Sequence, residues 1–237
     1  MTTVLLVRHG LTDANKGGLL AGWTPDVHLA DRGREQVAAL ADRLRPVPLA
    51  AVVSSPLERC LETALALAAG RDLQVVSDDR IGQCRYGDWT GQELKKLVKE
   101  PMWRVVQAHA SAAEFPGGEA LRQTQARAVD AVRARNVELG DDATWLLVSH
   151  GDVIKAILAD ALGMHLDMFQ RIQADPASLS VVRYTSLRPF VVRMNDVGGA
   201  VDDLIPPKRR SRSRRSPGRA DSDAVVGGGA GTAADPT

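Results

Sequence analysis

The sequence predicts an α/β protein in which helices cover both faces of a mainly parallel sheet. Short apolar runs rich in β-branched residues, typical of buried strands, alternate with longer segments whose apolar residues recur every three or four positions. Strands and helices that alternate in this way are typical of parallel sheets. The last two strand-like runs follow each other without a helix, which predicts an antiparallel hairpin at the sheet edge.

The same patterns place each element along the chain. Strands are expected at residues 3–7, 50–54, 73–77, 144–149, 180–184 and 190–194. Helices are expected at residues 31–44, 56–69, 119–139 and 152–162. In the first helix Val37, Leu40 and Leu44 share one face. The second begins with Pro56, a residue favoured in the first turn of a helix.

Composition indicates a globular protein of the cytoplasm. Of the 237 residues, 44% are hydrophobic and 25% are charged, which is ordinary for a globular domain. The sequence contains no run of about 18 or more apolar residues that could span a bilayer. It also enters its first strand without a signal peptide. The two cysteines, Cys60 and Cys84, suggest no disulfide framework and favour a reducing compartment. We therefore expect a cytoplasmic protein that does not contact membranes.

The C-terminal segment differs in composition from the rest of the chain. Residues 208–219 hold 7 of the 30 Lys and Arg and no acidic residue, whereas residues 1–196 are nearly balanced in charge. Residues 224–237 are of low complexity and carry too little apolar surface for a core. We expect a single domain at 1–196 and a disordered tail at 197–237. The basic run could contact polyanions weakly, or it could be a solvated tail with no partner.

Two histidines and two arginines are expected at the carboxyl ends of three strands, where sites form in sheets of this type. Arg8 and His9 follow the first strand, Arg59 follows the second, and His150 follows the fourth. Arginine matches phosphate oxygens with its fork of donors, and a neutral histidine can attack phosphorus. Each histidine precedes a glycine, and Gly151 also leads into a helix whose N–H groups suit an oxyanion. Like charges gathered in this way predict a site for an anion.

Six segments, in order along the chain, resemble the histidine phosphatase superfamily in its phosphoglycerate mutase-like branch. They are LVRHGLTDAN (6–15), AGWTPDVHLADRGREQ (21–36), SSPLERCLETA (54–64), YGDWTG (86–91), FPGGEA (115–120) and LLVSHGDV (146–153). The resemblance covers the body of the chain and not the tail. It implies a three-layer α/β/α sandwich with a mixed, mostly parallel sheet. It also implies a phosphatase that acts on a small phosphorylated metabolite.

The resemblance implies a role for each site residue. His9 would attack phosphorus in line and carry a transient phosphohistidine. Three side chains would hold the equatorial oxygens, where the charge of the transition state is spread: Arg8, Arg59 and His150. Asn15 and the backbone near Gly22 would add hydrogen bonds. No cofactor or metal is implied, since the arginines supply positive charge and no closed set of metal ligands is evident.

Two departures from the family pattern bear on the activity. The segment QCRYGDWTG at 83–91 is shorter than its counterpart in the mutases, which favours a phosphatase. Gln83 stands at the position of the family's catalytic glutamate, and an amide has no ionisable proton near neutrality. General acid catalysis contributes about 10²- to 10⁴-fold in rate, so we expect attenuated activity unless another carboxylate supplies the proton. Four residues are candidates for that role: Glu58, Asp88, Glu93 and Asp152. Of these, Asp152 is expected to cap the helix after His150 instead.

Two other functions stay open from the sequence. A phosphate-binding or regulatory protein would keep the same anion site without efficient turnover. A phosphoglycerate-type mutase is the weaker alternative. A homodimer is a further expectation.

Overall fold

The apolar β-branched runs form a single six-stranded sheet in the computed structural model, which describes residues 1–198 and Ile205. The strands are β1 (Thr2–Arg8), β2 (Ala51–Ser54), β3 (Val75–Ser77), β4 (Thr144–Ser149), β5 (Leu179–Tyr184) and β6 (Pro189–Asp196). Their order across the sheet is β3-β2-β4-β1-β5-β6. The pairs among β1 to β4 are parallel, whereas β5 is antiparallel to β1 and β6 to β5. The predicted mixed sheet and edge hairpin are confirmed.

Seven helices connect the strands in the described part of the chain. They are α1 (Asp13–Lys16), α2 (Asp31–Leu44), α3 (Glu58–Ala68), α4 (Leu94–Leu97), α5 (Pro101–Ala108), α6 (Leu121–Leu139) and α7 (Gly151–Ala161). The four predicted helices correspond to α2, α3, α6 and α7; α2 has the predicted bounds, and no end of the others is shifted by more than two residues. Pro56 does not open α3, because it lies in the bend that follows β2. The short helices α1, α4 and α5 were not predicted.

The helices form two layers, one on each face of the sheet. Val4 and Leu6 of β1 point into a core shared with α6 and α7, whereas Leu5 and Val7 point into a core shared with α2 and α3. Successive side chains of a strand face opposite ways, so a strand covered on both sides is apolar throughout. All six residues of β4 are buried accordingly. The predicted α/β/α sandwich is confirmed.

A close contact between two glycines holds the loop after β1 against α2. A Cβ on Gly33 would lie 2.1 Å from the Leu11 carbonyl oxygen, and one on Gly10 would lie 2.7 Å from the Gly33 carbonyl oxygen. Neither position has room for a side chain. The backbone that follows His9 is therefore fixed by direct contact with the helix.

The expected domain boundary coincides with the end of β6. Its last residue, Asp196, accepts hydrogen bonds from Arg43 and Arg193 at 2.8 and 2.9 Å. Most of the expected tail, including the basic run at 208–219, lies outside the described residues, so the boundary and the disorder stay predictions. No helix among the residues that the structure describes is long and apolar enough to cross a membrane.

Candidate active site

The carboxyl ends of three neighbouring parallel strands bring together Arg8, His9, Arg59 and His150, which we call the basic cluster. β4 lies between β1 and β2, and its register pairs Ser149 with Arg8. β1 and β4 end side by side, and the His9 N–H donates to the Ser149 carbonyl at 3.0 Å. The ring centroids of His9 and His150 are 5.3 Å apart. Arg59 reaches the same place from the first turn of α3.

His9 is held in one tautomer. Its Nδ1 lies 2.8 Å from the Gly10 carbonyl oxygen, which can only accept a hydrogen bond. Nδ1 therefore carries the proton, and the lone pair is on Nε2. Burial, followed by the charges of Arg8 and Arg59, lowers the pKa of His9 well below its usual value of 6.5. The ring is thus neutral near pH 7, with a nucleophilic nitrogen free.

The two arginines offer donors that no described residue accepts. Arg8 donates from Nη1 to the Ala174 carbonyl at 2.7 Å, and Arg59 donates from Nη2 to the Gly22 carbonyl at 2.8 Å. Arg8 Nε and Arg59 Nη1 are buried without a hydrogen-bond partner within residues 1–198 and Ile205. Leaving a buried donor unpaired costs about 1–3 kcal/mol. Burial lowers the pKa of both groups, but an arginine keeps its charge in proteins. Arg8 Nε and Arg59 Nη1 are therefore two cationic donors available to an anionic ligand.

His150 is positioned by Ser55 and Arg59. Its Nε2 lies 2.8 Å from Ser55 Oγ, and its Nδ1 lies 3.4 Å from Arg59 Nη2. Because a guanidinium only donates, Nδ1 accepts, and Nε2–H donates to the serine. Burial, followed by the Arg59 charge, lowers the pKa of His150 well below 6.5. The neighbouring Cys60 thiol is buried, which raises its pKa to about 12, so it is not a reactive thiolate.

A cavity of about 330 Å³ opens onto the basic cluster. Its wall contains Arg8, His9 and Arg59 together with the other residues expected at the site: Asn15, Gly22, Gln83 and Gly151. His150 lies behind this wall and is fully buried. The structure thus brings all the sequence-predicted site residues to one place.

Three of the smaller site residues shape the cavity in different ways. Asn15 accepts from the Thr12 N–H and hydroxyl through Oδ1, which leaves its Nδ2 hydrogens for a ligand. Gly22 has a φ of 53°, and its carbonyl holds Arg59 rather than a ligand. A Cβ on Gly151 would lie 3.6 Å from the Arg8 guanidinium, so the first turn of α7 packs directly beside that group.

Comparison with known proteins agrees with this geometry. The sequence profile of the histidine phosphatase superfamily (branch 1) matches residues 4–197. The chain belongs to this superfamily. Phosphoserine phosphatase 1 of Hydrogenobacter thermophilus is 32% identical over 201 residues, which is 82% of this chain and 92% of that protein. Glucosyl-3-phosphoglycerate phosphatase of Mycolicibacterium vanbaalenii is 32% identical over 171 residues, covering 69% and 76%.

Solved structures of this superfamily share the fold. The alpha-ribazole phosphatase from Shigella flexneri superposes with a TM-score of 0.75 at 27% identity, over 84% of this chain and 99% of that one. The mycobacterial glucosyl-3-phosphoglycerate phosphatase in complex with VO3 gives a TM-score of 0.74 at 29% identity, over 82% and 98%. The predicted family and enzyme class, a phosphoric monoester hydrolase, are confirmed.

Within this histidine phosphatase fold, Gln83 is fixed in the cavity wall. Its carbonyl accepts from Trp23 Nε1 at 2.6 Å and from Arg127 Nη2 at 3.0 Å. Its side-chain Oε1 accepts from the Cys84 N–H at 3.0 Å. The amide can donate its Nε2 hydrogens to a ligand and accept one further hydrogen bond at Oε1, but it cannot transfer a proton.

Of the four carboxylates considered as substitutes for the acid, Asp152 alone lines the cavity. The expectation that it caps α7 is wrong, because the N-cap is His150 and Asp152 lies in the first helical turn. There its Oδ2 accepts from the Tyr86 hydroxyl at 2.6 Å. Asp88 is exposed in a single 3₁₀ turn (Gly87–Trp89), and Glu93 pairs with two lysines. Glu58 lies in the first turn of α3 outside the cavity wall.

Sequence reasoning missed several residues that line the rest of the cavity. Among them are Tyr86, Lys155, Gln170 and Ala174, whose carbonyl accepts from Arg8. Lys155 could have been found, because it lies three residues after Asp152 on the same face of a predicted helix. The segment at 170–174 begins in the last turn of a 3₁₀ helix (Leu166–Arg171) and carries no recognisable pattern. Within the described residues, no group of three or more His, Cys, Asp or Glu could hold a metal ion.

Proposed function

We propose that this protein hydrolyses phosphomonoesters of small metabolites through a phosphohistidine formed on His9. One observation carries the proposal. The Nδ1–H of His9 is bound to the Gly10 carbonyl, so the Nε2 lone pair is available beside two arginines that have unpaired donors. A neutral, oriented imidazole next to fixed positive charge suits attack on a phosphate ester.

The first step forms a bond between His9 Nε2 and phosphorus while the bond from phosphorus to the ester oxygen breaks. Charge spreads over the three equatorial oxygens, and Arg8 Nε and Arg59 Nη1, which have no partner among the described residues, would donate to them. The phosphorylated ring keeps its Nδ1 proton, and the Gly10 carbonyl stabilises the positive charge that develops there. In the second step water attacks phosphorus, the bond between phosphorus and His9 Nε2 breaks, and the water loses a proton to solvent, which releases inorganic phosphate and neutral His9.

His150 would act through Arg59. It is neutral in the free site because burial and Arg59 disfavour its protonated form. Its Nδ1 accepts from Arg59 Nη2 at 3.4 Å, which helps to hold the guanidinium beside the cavity. Ser55 keeps the ring oriented throughout.

Gln83 limits the rate in both steps. The amide gives the leaving oxygen a hydrogen bond but no proton, so the leaving group takes its proton from solvent, and no base at Gln83 accepts the proton of the attacking water. Esters with acidic leaving groups are therefore favoured, and the phosphohistidine is expected to persist. The same feature supports the second candidate function, a phosphate-binding or regulatory protein with little turnover. The cavity gives no comparable support to a mutase.

Hydrolysis of an aryl phosphate separates an enzyme from a binding protein. We expect phosphate release by the full chain, no release by His9→Ala, and normal release by His109→Ala, which removes an exposed histidine. Phosphate release that survives in His9→Ala would contradict the proposal. We also propose that the reaction is metal-independent and cytoplasmic. EDTA should then leave the rate unchanged, and fractionation should recover the protein with the cytosol.

A further inference from the structure

A charged pair forms the part of the cavity wall beyond the basic cluster. Asp152 and Lys155 lie three residues apart on α7, and Lys155 Nζ is 3.8 Å from Asp152 Oδ1. Lys155 Nζ also donates to Gln170 Oε1 at 2.6 Å and lies 4.9 Å from the centre of the Phe169 ring. Its side chain is only 14% exposed. The lysine is thus fixed in the wall and does not extend into solvent.

Once a phosphate ester is bound, the charged side chains around the cavity carry no excess charge that could neutralise a second ionic group on the ligand. Four charged side chains line it among the described residues: Arg8, Arg59, Asp152 and Lys155. A phosphate ester carries a charge of about −1.5 to −2 near neutrality, which the two arginines match. Asp152 and Lys155 then balance each other. Two carboxylates outside the wall, Asp175 and Glu58, act on Arg8 and Arg59 and reduce the positive field further.

We propose that Asp152 and Lys155 form a charge-balanced subsite that selects phosphomonoesters whose alcohol half carries no net charge. This inference rests on the proposed phosphatase function and assigns the substrate class of the same cavity. Because the two charges lie 3.8 Å apart, a carboxylate that approaches Lys155 also lies near Asp152, and an ammonium group that approaches Asp152 also lies near Lys155. Hydroxyl groups can instead donate to the carboxylate and accept from the ammonium group. The amide of Gln170 offers a further partner.

Three alkyl phosphates of similar size test the proposal. Glycerol phosphate has an uncharged alcohol half, 3-phosphoglycerate adds one negative charge, and phosphoethanolamine adds one positive charge. We expect kcat/KM of the full chain to be highest for glycerol phosphate, by about tenfold over each charged substrate. A screened charge pair of this kind gives effects of that order. A preference for 3-phosphoglycerate or phosphoethanolamine over glycerol phosphate would overturn the proposal.

Single and double variants identify the residues responsible. Lys155→Gln should shift the ratio of phosphoethanolamine to 3-phosphoglycerate upward by about tenfold, and Asp152→Asn should shift it downward by a similar factor. The double variant should return the ratio close to that of the parent. Two exposed positions provide matched controls, Lys99→Gln and Asp72→Asn, which should not move the ratio. A ratio taken within one variant is independent of how much of the protein is folded.

The remaining outcomes distinguish the inference from the function on which it rests. If Asp152→Asn lowers kcat/KM equally for all three substrates, Asp152 acts in proton transfer and the charge-selection proposal is wrong. If both single variants shift the ratio in the same direction, or neither does, the proposal is also wrong. If the full chain does not hydrolyse even an aryl phosphate in a His9-dependent way, the proposed function has failed instead.

Discussion

Replacement of Gln83 by glutamate should restore the proton donor that the chain lacks. The exchange turns an amide into a carboxyl group of nearly the same volume. The acceptor for the Cys84 N–H is retained, because a carboxylate oxygen takes the place of Oε1. The contacts from Trp23 and Arg127 are made to the backbone carbonyl and are unaffected. We therefore expect the variant to fold with a melting temperature close to that of the parent.

The size of the gain follows from the chemistry of the leaving group. Full general acid catalysis is worth about 10²- to 10⁴-fold, or about 3–5 kcal/mol in the barrier. The arginines of the basic cluster favour an ionised carboxylate, whereas a bound phosphate dianion favours its protonated form. Because the surroundings are not tuned for this group, we expect a gain of about 10- to 10³-fold on alkyl phosphates. Aryl phosphates should gain less, since their leaving groups need little protonation.

The assay compares kcat/KM of Gln83→Glu and the parent on one alkyl and one aryl phosphate. Gln74→Glu, at an exposed position, controls for the added negative charge. The result that refutes the reasoning is an alkyl phosphate rate unchanged in Gln83→Glu while His9→Ala abolishes turnover. Gln83 would then not lie at the acid's position, and the role would pass to a carboxylate such as Asp152.

Three further predictions concern pH, packing and the C-terminal segment. Because burial keeps His9 neutral well below pH 6.5, kcat/KM should fall in acid only as the substrate loses its dianion. The acid limb should move with the second pKa of the ester, and a limb fixed for all esters would implicate His9 instead. Gly33→Ala should lower the free energy of unfolding by about 1–3 kcal/mol, because its Cβ would overlap the Leu11 carbonyl, whereas Arg32→Ala should change it little. A chain that ends at Gly198 should keep its melting temperature and activity and lose any salt-sensitive binding to polyanions. A large fall in melting temperature on truncation would refute the proposed domain boundary.

The strand ends could be predicted from the sequence because parallel strands impose a simple geometry. Arg8 and His9 after one buried run, and His150 after another, must lie at the same edge if both runs belong to one parallel sheet. The antiparallel hairpin could also be predicted, because no helix separates its two strands. The order of the strands in the sheet could not be predicted from the sequence, and this order makes His9 and His150 neighbours.

Apart from Lys155, the rest of the cavity wall escaped sequence reasoning because its residues come from segments without periodicity. The short helices α4 and α5 are too short to be stable alone and depend on tertiary packing, through buried residues such as Leu97 and Val106. Gln170 lies in a 3₁₀ segment and meets Lys155 only in the folded chain. The role of Asp152 was misjudged for a similar reason, because its partner Tyr86 is 66 residues away.

Trapping of the phosphoenzyme tests the central claim most directly. The parent chain, mixed with an aryl phosphate and quenched within milliseconds to seconds, should carry one phosphoryl group on His9 that is stable in alkali and labile in acid. Because Gln83 provides no base for the attacking water, this species should accumulate and appear as a burst of phenol release. His9→Ala should carry no label, whereas His109→Ala should label like the parent. An unlabelled parent that still turns over, or a label that persists in His9→Ala, would contradict catalysis through a phosphohistidine at this residue.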